Sequence, residues 1–170
     1  MHAISKLDIR VGQIVDAWPN PNSEKLYNEK VDIGNGEIRD IASGLQKAIP
    51  LDKMKGAMVV VICNLKARKL ADYNSHGMVL CAETKDNSVI EFLNPPAGSK
   101  PGDLISFAGY ERKPLEQLPA KKSPWDVIAP NLVIDSNMTG CWKSDDGSLI
   151  PFATEKGNCV ASTIKDGIIK

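Results

Sequence analysis

Pro50-Leu51-Asp52-Lys53-Met54, followed by Met58-Val59-Val60-Val61-Ile62-Cys63, decides the reading of the fold. Proline suits the start of a helix, where its missing N–H donor is not needed, so 50–54 reads as one short helical turn. The apolar run after it is short and rich in β-branched side chains, so it reads as a buried strand. Toward the amino terminus, Leu7, Ile9, Val11 and Ile14 are apolar in near alternation. That pattern predicts one long curved strand over 7–18, with Gly12 at a bend or bulge. Residues 26–33 and 37–43 flank Gly34-Asn35-Gly36, a strong hairpin signal. Toward the carboxy terminus, 78–82 predicts a strand, 89–93 a second reached through Asp86-Asn87, and 104–107 a third after a stiff Pro/Gly loop.

Short strands with one small helix after the third predict a mainly β fold: a five-stranded OB-fold barrel with a short inserted helix, over residues 1–108. Such barrels bind nucleic acid, sugars or proteins, so the fold alone leaves function open. Residues 109–123 read as a surface linker. Ser123-Pro124-Trp125 then offers a cap and a proline for a short helix. A hairpin over 140–152, turned at Asp145-Asp146-Gly147, and a last strand over 159–164 follow. Residues 109–170 hold too few apolar side chains for a core of their own, which predicts an extension packed on the barrel. Trp125 and Trp142 are expected to anchor it, with a stacking platform for bases as the alternative.

The formal net charge is zero, so an affinity for nucleic acid must rest on local charge. Between Gly44 and Lys69, Lys47, Lys53, Lys55, Lys66, Arg68 and Lys69 face only Asp52, a local charge of +5. Residues 123–170 carry −2, with four lysines against six acids. The cysteines at 63, 81, 141 and 159 form no Cys-x-x-Cys pair, and with only two histidines no metal set of recognisable spacing exists. Buried, reduced thiols are expected, with a Cys141–Cys159 bridge as the alternative. No Ser/His/Asp order or phosphate-binding glycine motif points to catalysis, and no cofactor is expected. The amino terminus lacks an apolar core of signal-peptide length, and no apolar run approaches a membrane span. A soluble, cytoplasmic binding module is therefore expected.

The chemistry concentrates between Asn64 and Ala82. A strand feeds Lys66, Arg68 and Lys69, a polar bend at Asn74, Ser75, His76 and Gly77 follows, and a second strand starts at Met78. Cations supply sequence-independent attraction to a phosphodiester backbone, and small polar groups fix its register. The candidate site is Asn64, Lys66, Arg68, Lys69, Ser75, His76 and Met78, with Lys47, Lys53 and Lys55 as outer contacts. For His76 and Met78 a plain surface loop and a core position compete with the binding role.

Several ordered motifs resemble the tRNA-binding domain of endothelial monocyte-activating polypeptide II and of carboxy-terminal extensions of some methionyl-, tyrosyl- and lysyl-tRNA synthetases. They are Leu7-Asp8-Ile9-Arg10-Val11-Gly12, Leu26-Tyr27 with Glu29, Ser43-Gly44-Leu45, Asn64-Leu65-Lys66, Ser75-His76-Gly77-Met78, Pro95-Pro96-Ala97-Gly98-Ser99 and Gly167-Ile168-Ile169-Lys170. The resemblance implies an OB-fold whose extension imitates the subunit interface of smaller dimeric relatives, hence a monomer. It also implies sequence-tolerant binding of tRNA through its folded shape, with Asn64, Lys66, Lys69, Ser75 and Met78 in the contact positions. The role implied is an appended module that raises the tRNA affinity of a synthetase, methionyl foremost, then lysyl or tyrosyl. Docking to other synthetases or a multisynthetase complex, or cytokine-like signalling after release, is the alternative. Two departures weaken the site: Ala67 replaces the family's usual proline, and Leu70-Ala71-Asp72 stands where Met-Arg-Gly is common.

Overall fold

The structure is a computed structural model that describes the whole chain, Met1 to Lys170. In chain order the barrel comprises β1 (Ile9–Pro19), β2 (Tyr27–Asp32), β3 (Ile38–Ser43), the single-turn helix α1 (Leu51–Met54) and β4 (Met58–Ile62). A small hairpin of β5 (Arg68–Leu70) and β6 (Tyr73–Ser75) then leads to β7 (Met78–Glu83), with β8 (Ile90–Phe92) after it. β1 pairs antiparallel with β4 through residues 9–13 and with β2 through residues 13–19. Such a bend requires an irregularity, and the register slips by one residue between Ile14 and Asp16. The bulge is thus at Val15 and not at Gly12. Gly12 lacks a side chain for a different reason: a Cβ there would meet Val31 and Val61 Cγ atoms at 3.0 Å.

β2 pairs with β3, and β4 with β7, while β3 lies against β7 with no ladder between them. The result is a partly open, five-stranded OB-fold barrel with its helix between the third and fourth strands. Alternation along the strands separates two cores. Val59, Val61, Val79 and Cys81 point inward to Ile14, Tyr27, Val31 and Ile41. Val60, Ile62, Leu80 and Ala82 point outward, into a second cluster shared with the carboxy-terminal third. β4 is buried on both faces, which is why its sequence is continuously apolar rather than alternating.

The extension supplies the cover. It contains α2 (Pro124–Ile128), β9 (Leu132–Ile134), β10 (Gly140–Lys143), β11 (Leu149–Pro151), the two-residue strands β12 (Ala153–Thr154) and β13 (Gly157–Asn158), and β14 (Ile168–Ile169). Ser123 caps α2 as the Ser-Pro order predicts, and Asp126 completes a capping box with it. Trp142 is buried, with its ring edge-on to Phe107 and Tyr110 at centroid separations of 6.0 and 4.8 Å. β14 joins β7 on one side and β9 on the other, so one sheet runs from extension to barrel.

Two expectations need correction. Residues 104–107 form no regular strand: Leu104 bridges to Arg10 and Ser106 to Ala153, while Ile105 donates to the Ile9 carbonyl. Residues 159–164 contribute only bridges at Val160, and the last strand is β14 instead. All four cysteines are free and buried, as expected of reduced thiols, and the alternative Cys141–Cys159 bridge is absent.

Candidate nucleic-acid interface

The segment after β4 begins with a pin. Asn64 is buried, and its carboxamide accepts from Asp8 N–H at 3.0 Å and donates to the carbonyls of Lys6 and Leu115, each at 2.9 Å. One side chain thereby ties the amino-terminal turn, the end of β4 and the linker into the extension. Its polar groups are committed within the protein, so Asn64 fixes the path of the basic segment and presents no free donor. Lys66, Arg68 and Lys69 follow, all exposed, and none forms a salt bridge with an acid of the protein.

What reads as a basic loop is a hairpin. Arg68, Lys69 and Leu70 pair with Ser75, Asn74 and Tyr73, and Ala71-Asp72 makes the two-residue turn. Both turn residues have positive φ, 47° and 63°, the signature of a type I′ turn. The hairpin is braced on the barrel at both ends. At the tip, Asn20 donates to Asn28 Oδ1 at 2.9 Å and to the Ala71 carbonyl at 3.2 Å. Along β6, Tyr73 donates to Asp40 Oδ1 at 2.9 Å and packs edge-on to Trp18, 5.9 Å between centroids. The Lys30 hydrogen bond, joined by that from Tyr73, holds the Asp40 carboxyl below the usual carboxylate range. Burial and Asp40 together push the Tyr73 phenol up.

Ser75 is buried at the open seam of the barrel. Its hydroxyl accepts from Ala42 N–H at 3.0 Å and donates to the Gly77 carbonyl at 3.1 Å. It therefore replaces a ladder bond that β3 lacks, and like Asn64 it is engaged by its own chain. His76 is exposed and Met78 half-buried. The outer lysines 47, 53 and 55 are exposed around α1; Lys55 Nζ lies 3.7 Å from Asp16, and no hydrogen bond or ion pair links the three to the hairpin.

A cleft opens on each side of the Leu65–Ala67 segment. The larger, about 440 Å³, is lined by Glu37, Asp40 and Glu116 together with Arg39 and His76. Arg39 is spent there: it pairs with Glu37 at 2.6 Å and donates to the Cys63 and His76 carbonyls. The smaller, about 260 Å³, lies between Lys66 and Arg68 on one side and α2 on the other, with Met78 and Trp125 in its wall. Trp125 is absent from the site expected from the sequence, where its place in a short helix with Val127 and Ile128 reads as an anchor of the extension.

An OB barrel carrying a braced hairpin with unpaired cations, flanked by clefts, has the architecture and charge that a nucleic-acid-binding module requires. The chain belongs to the putative tRNA-binding domain family, whose model matches residues 9–104. It is 41% identical over 167 residues to the cytoplasmic methionine–tRNA ligase of Arabidopsis thaliana, covering 98% of this chain and 20% of that protein. Aminoacyl tRNA synthase complex-interacting multifunctional protein 1 of Cricetulus griseus is 38% identical, over 98% of this chain and 45% of its own. The chain thus spans about a fifth to a half of these two relatives. Among solved structures, the C-terminal domain of Plasmodium vivax p43 superposes with a TM-score of 0.88 at 29% identity, covering 98% of both chains. No helix is long and apolar enough to cross a membrane.

Proposed function

We propose that this domain holds tRNA through its phosphate backbone and folded shape, as an appended module that raises the tRNA affinity of a cytoplasmic synthetase, methionyl foremost. The observation that carries the reading is the set of unpaired cations at Lys66, just before the hairpin, and at Arg68 and Lys69 on its first strand, with the hairpin braced against the barrel. Bracing matters because a backbone already held in place loses less conformational freedom when its cations meet phosphate. A synthetase already binds the same tRNA, so a tethered module adds affinity through effective concentration, even when its own affinity is modest. Lys66, Arg68 and Lys69 take the phosphates, and Asn64 and Ser75 set the ridge. His76 and Met78 border it, and Lys47 and Lys53 extend the field, with Lys55 partly offset by Asp16.

A filter-binding salt titration tests this reading. For Lys66→Ala/Lys69→Ala the tRNA affinity is expected to fall, and the slope of log K against log salt to flatten by about 1.5 for two lost phosphate contacts. An unchanged affinity and slope would remove the hairpin from the site.

Residues 109–170 are read as the cover of the outer barrel face, residues 1–108, which leaves a monomer. A sedimentation mass of twice 18.4 kDa would count against this. Association with other synthetases is the companion reading. Its support is the 38% identity to a protein named for interaction with the synthase complex, and a partner captured only while RNA is intact would argue against it.

A further inference from the structure

The two clefts beside the basic ridge differ in what they can accept. The larger has three carboxylates, with Arg39 paired to Glu37 and Lys30 to Asp40, so Glu116 is left unpaired and no free lysine or arginine lines it to hold a phosphodiester strand. The smaller has Lys66 and Arg68 on its rim and an apolar wall of Leu65, Met78 and Trp125. At about 260 Å³ it lies below the range of about 300–1,000 Å³ that encloses drug-sized ligands, which suits one flat ring rather than a whole nucleotide.

Trp125 differs from Trp142. Trp142 is 4% exposed and surrounded by aromatic rings, as an anchor should be. Trp125 is half-buried, stacks on no other ring of the protein, and its indole N–H donates to no protein group. One turn along α2, Ile128 is 2% exposed, and both it and one side of Trp125 pack against the main core cluster. The side of Trp125 away from that core forms part of the cleft wall. The same cleft holds Asp126, whose Oδ2 accepts the Ser123 N–H at 3.3 Å while Oδ1 receives no hydrogen bond from the chain.

We propose that this cleft takes a single unstacked base of the RNA held by the hairpin, stacked on Trp125 over Met78, with the flanking phosphates on Lys66 and Arg68. The inference rests on the tRNA-binding reading above and gives the extension a direct part in binding. Stacking is sequence-tolerant because every base has a π face. The free Asp126 oxygen adds a preference for a base with an exocyclic amino group, since a carboxylate accepts from such a donor. A perfectly paired duplex has no base to offer and cannot use the cleft.

The test compares wild type, Trp125→Leu and Trp125→Phe, each checked for an unchanged denaturation midpoint, on unmodified tRNA and on a blunt RNA duplex. Trp125→Leu is expected to lose about tenfold in tRNA affinity, the scale of one lost stacking contact, with the salt slope unaltered. Duplex affinity is expected to stay at the wild-type level. Trp125→Phe keeps a stacking face, so it is expected to bind tRNA as wild type does while the tRNA-induced quench of tryptophan fluorescence shrinks to what Trp18, packed on Tyr73 of the hairpin, contributes. Wild-type affinity in Trp125→Leu, or a quench undiminished in Trp125→Phe, overturns the proposal. If Lys66→Ala/Lys69→Ala weakens binding but Trp125→Leu does not, the base cleft falls and the tRNA-binding reading stands. If wild type binds no tRNA, both fall.

Discussion

Glu29 enters the barrel interior without a counter-charge. It is fully buried, Ser43 Oγ donates to its Oε1 at 3.1 Å, and its Oε2 has no partner. Burial, opposed only by the Ser43 hydrogen bond, pushes its carboxyl from 4.5 up to about 8. Between those two values the folded chain holds a proton that the unfolded chain has released, so stability falls as pH rises through that window and levels off above it. The urea midpoint is therefore expected to drop from pH 5 to pH 8. Glu29→Gln, close in shape and unable to ionise, is expected to flatten that dependence and to be the more stable protein at pH 8, by a margin on the order of a few kcal/mol. A wild-type midpoint that rises across this range would show Glu29 ionised in the fold. The same scale shows why part of the site was illegible in the sequence. Asn64 and Lys66 are both polar residues in one basic stretch, yet Asn64 is 4% exposed and fully engaged while Lys66 is free. Which of two polar neighbours faces inward depends on carbonyls at Lys6 and Leu115, far away in the chain, and no local pattern encodes that.

At the scale of elements, strands that bury one face or both were legible because apolar periodicity reports burial: β1, β2, β3, β4 and β7 all stand where the sequence places them, within a residue or two. The hairpin of β5 and β6 was not, because its stability comes from Trp18, Asn20 and Asp40 rather than from its own residues. Its Ala71-Asp72 turn is also a poor type I′ sequence. Alanine has no side-chain hydrogen bond to offset a positive φ, and such a residue carries strain of about 1 kcal/mol or more. Ala71→Asn/Asp72→Gly installs the favoured pair, at the cost of a long 3.4 Å contact between Asn22 and Asp72 at the surface. The double variant is expected to gain about 1 kcal/mol in urea denaturation. It is also expected to bind tRNA several-fold more tightly at low salt, because the one acid beside the three cations is gone. The advantage should shrink toward 1 M salt, where the screening length is about 3 Å. Equal affinities at low salt would place the hairpin tip outside the RNA path.

At the scale of the whole molecule, barrel and extension share too much to behave as separate units. The outward side chains of β4 and β7 lie in a single 21-residue cluster with Leu118, Ile128, Leu132, Trp142, Phe152 and Ile169 from the extension. β14 continues the barrel's own sheet, with Cys81 and Lys170 exchanging backbone hydrogen bonds at 2.7 and 2.9 Å. Polar ties reinforce the apolar ones. Arg112, from the linker, shares the Asp8 carboxylate with Arg10, which holds it at 2.8 and 2.9 Å. Burial raises the Asp8 pKa, but the hydrogen bond from Arg10 and the charges of both arginines outweigh it and hold the carboxyl below its ordinary value. The backbones of Gly34 and Gly102, both at positive φ, approach so closely that a Cβ on Gly34 would lie 2.5 Å from Gly102 Cα, which locks the β2–β3 turn onto the loop leading to the extension. A cluster that spans both parts couples their unfolding, since removing the extension would expose Val60, Ile62, Leu80 and Ala82 together. The full chain is therefore expected to melt in one calorimetric transition whose van't Hoff and calorimetric enthalpies agree. Residues 1–108 alone are expected to self-associate through the uncovered face. Two resolved transitions in the full chain, or a monomeric and equally stable 1–108 fragment, would mean that the extension rests on a barrel already complete without it.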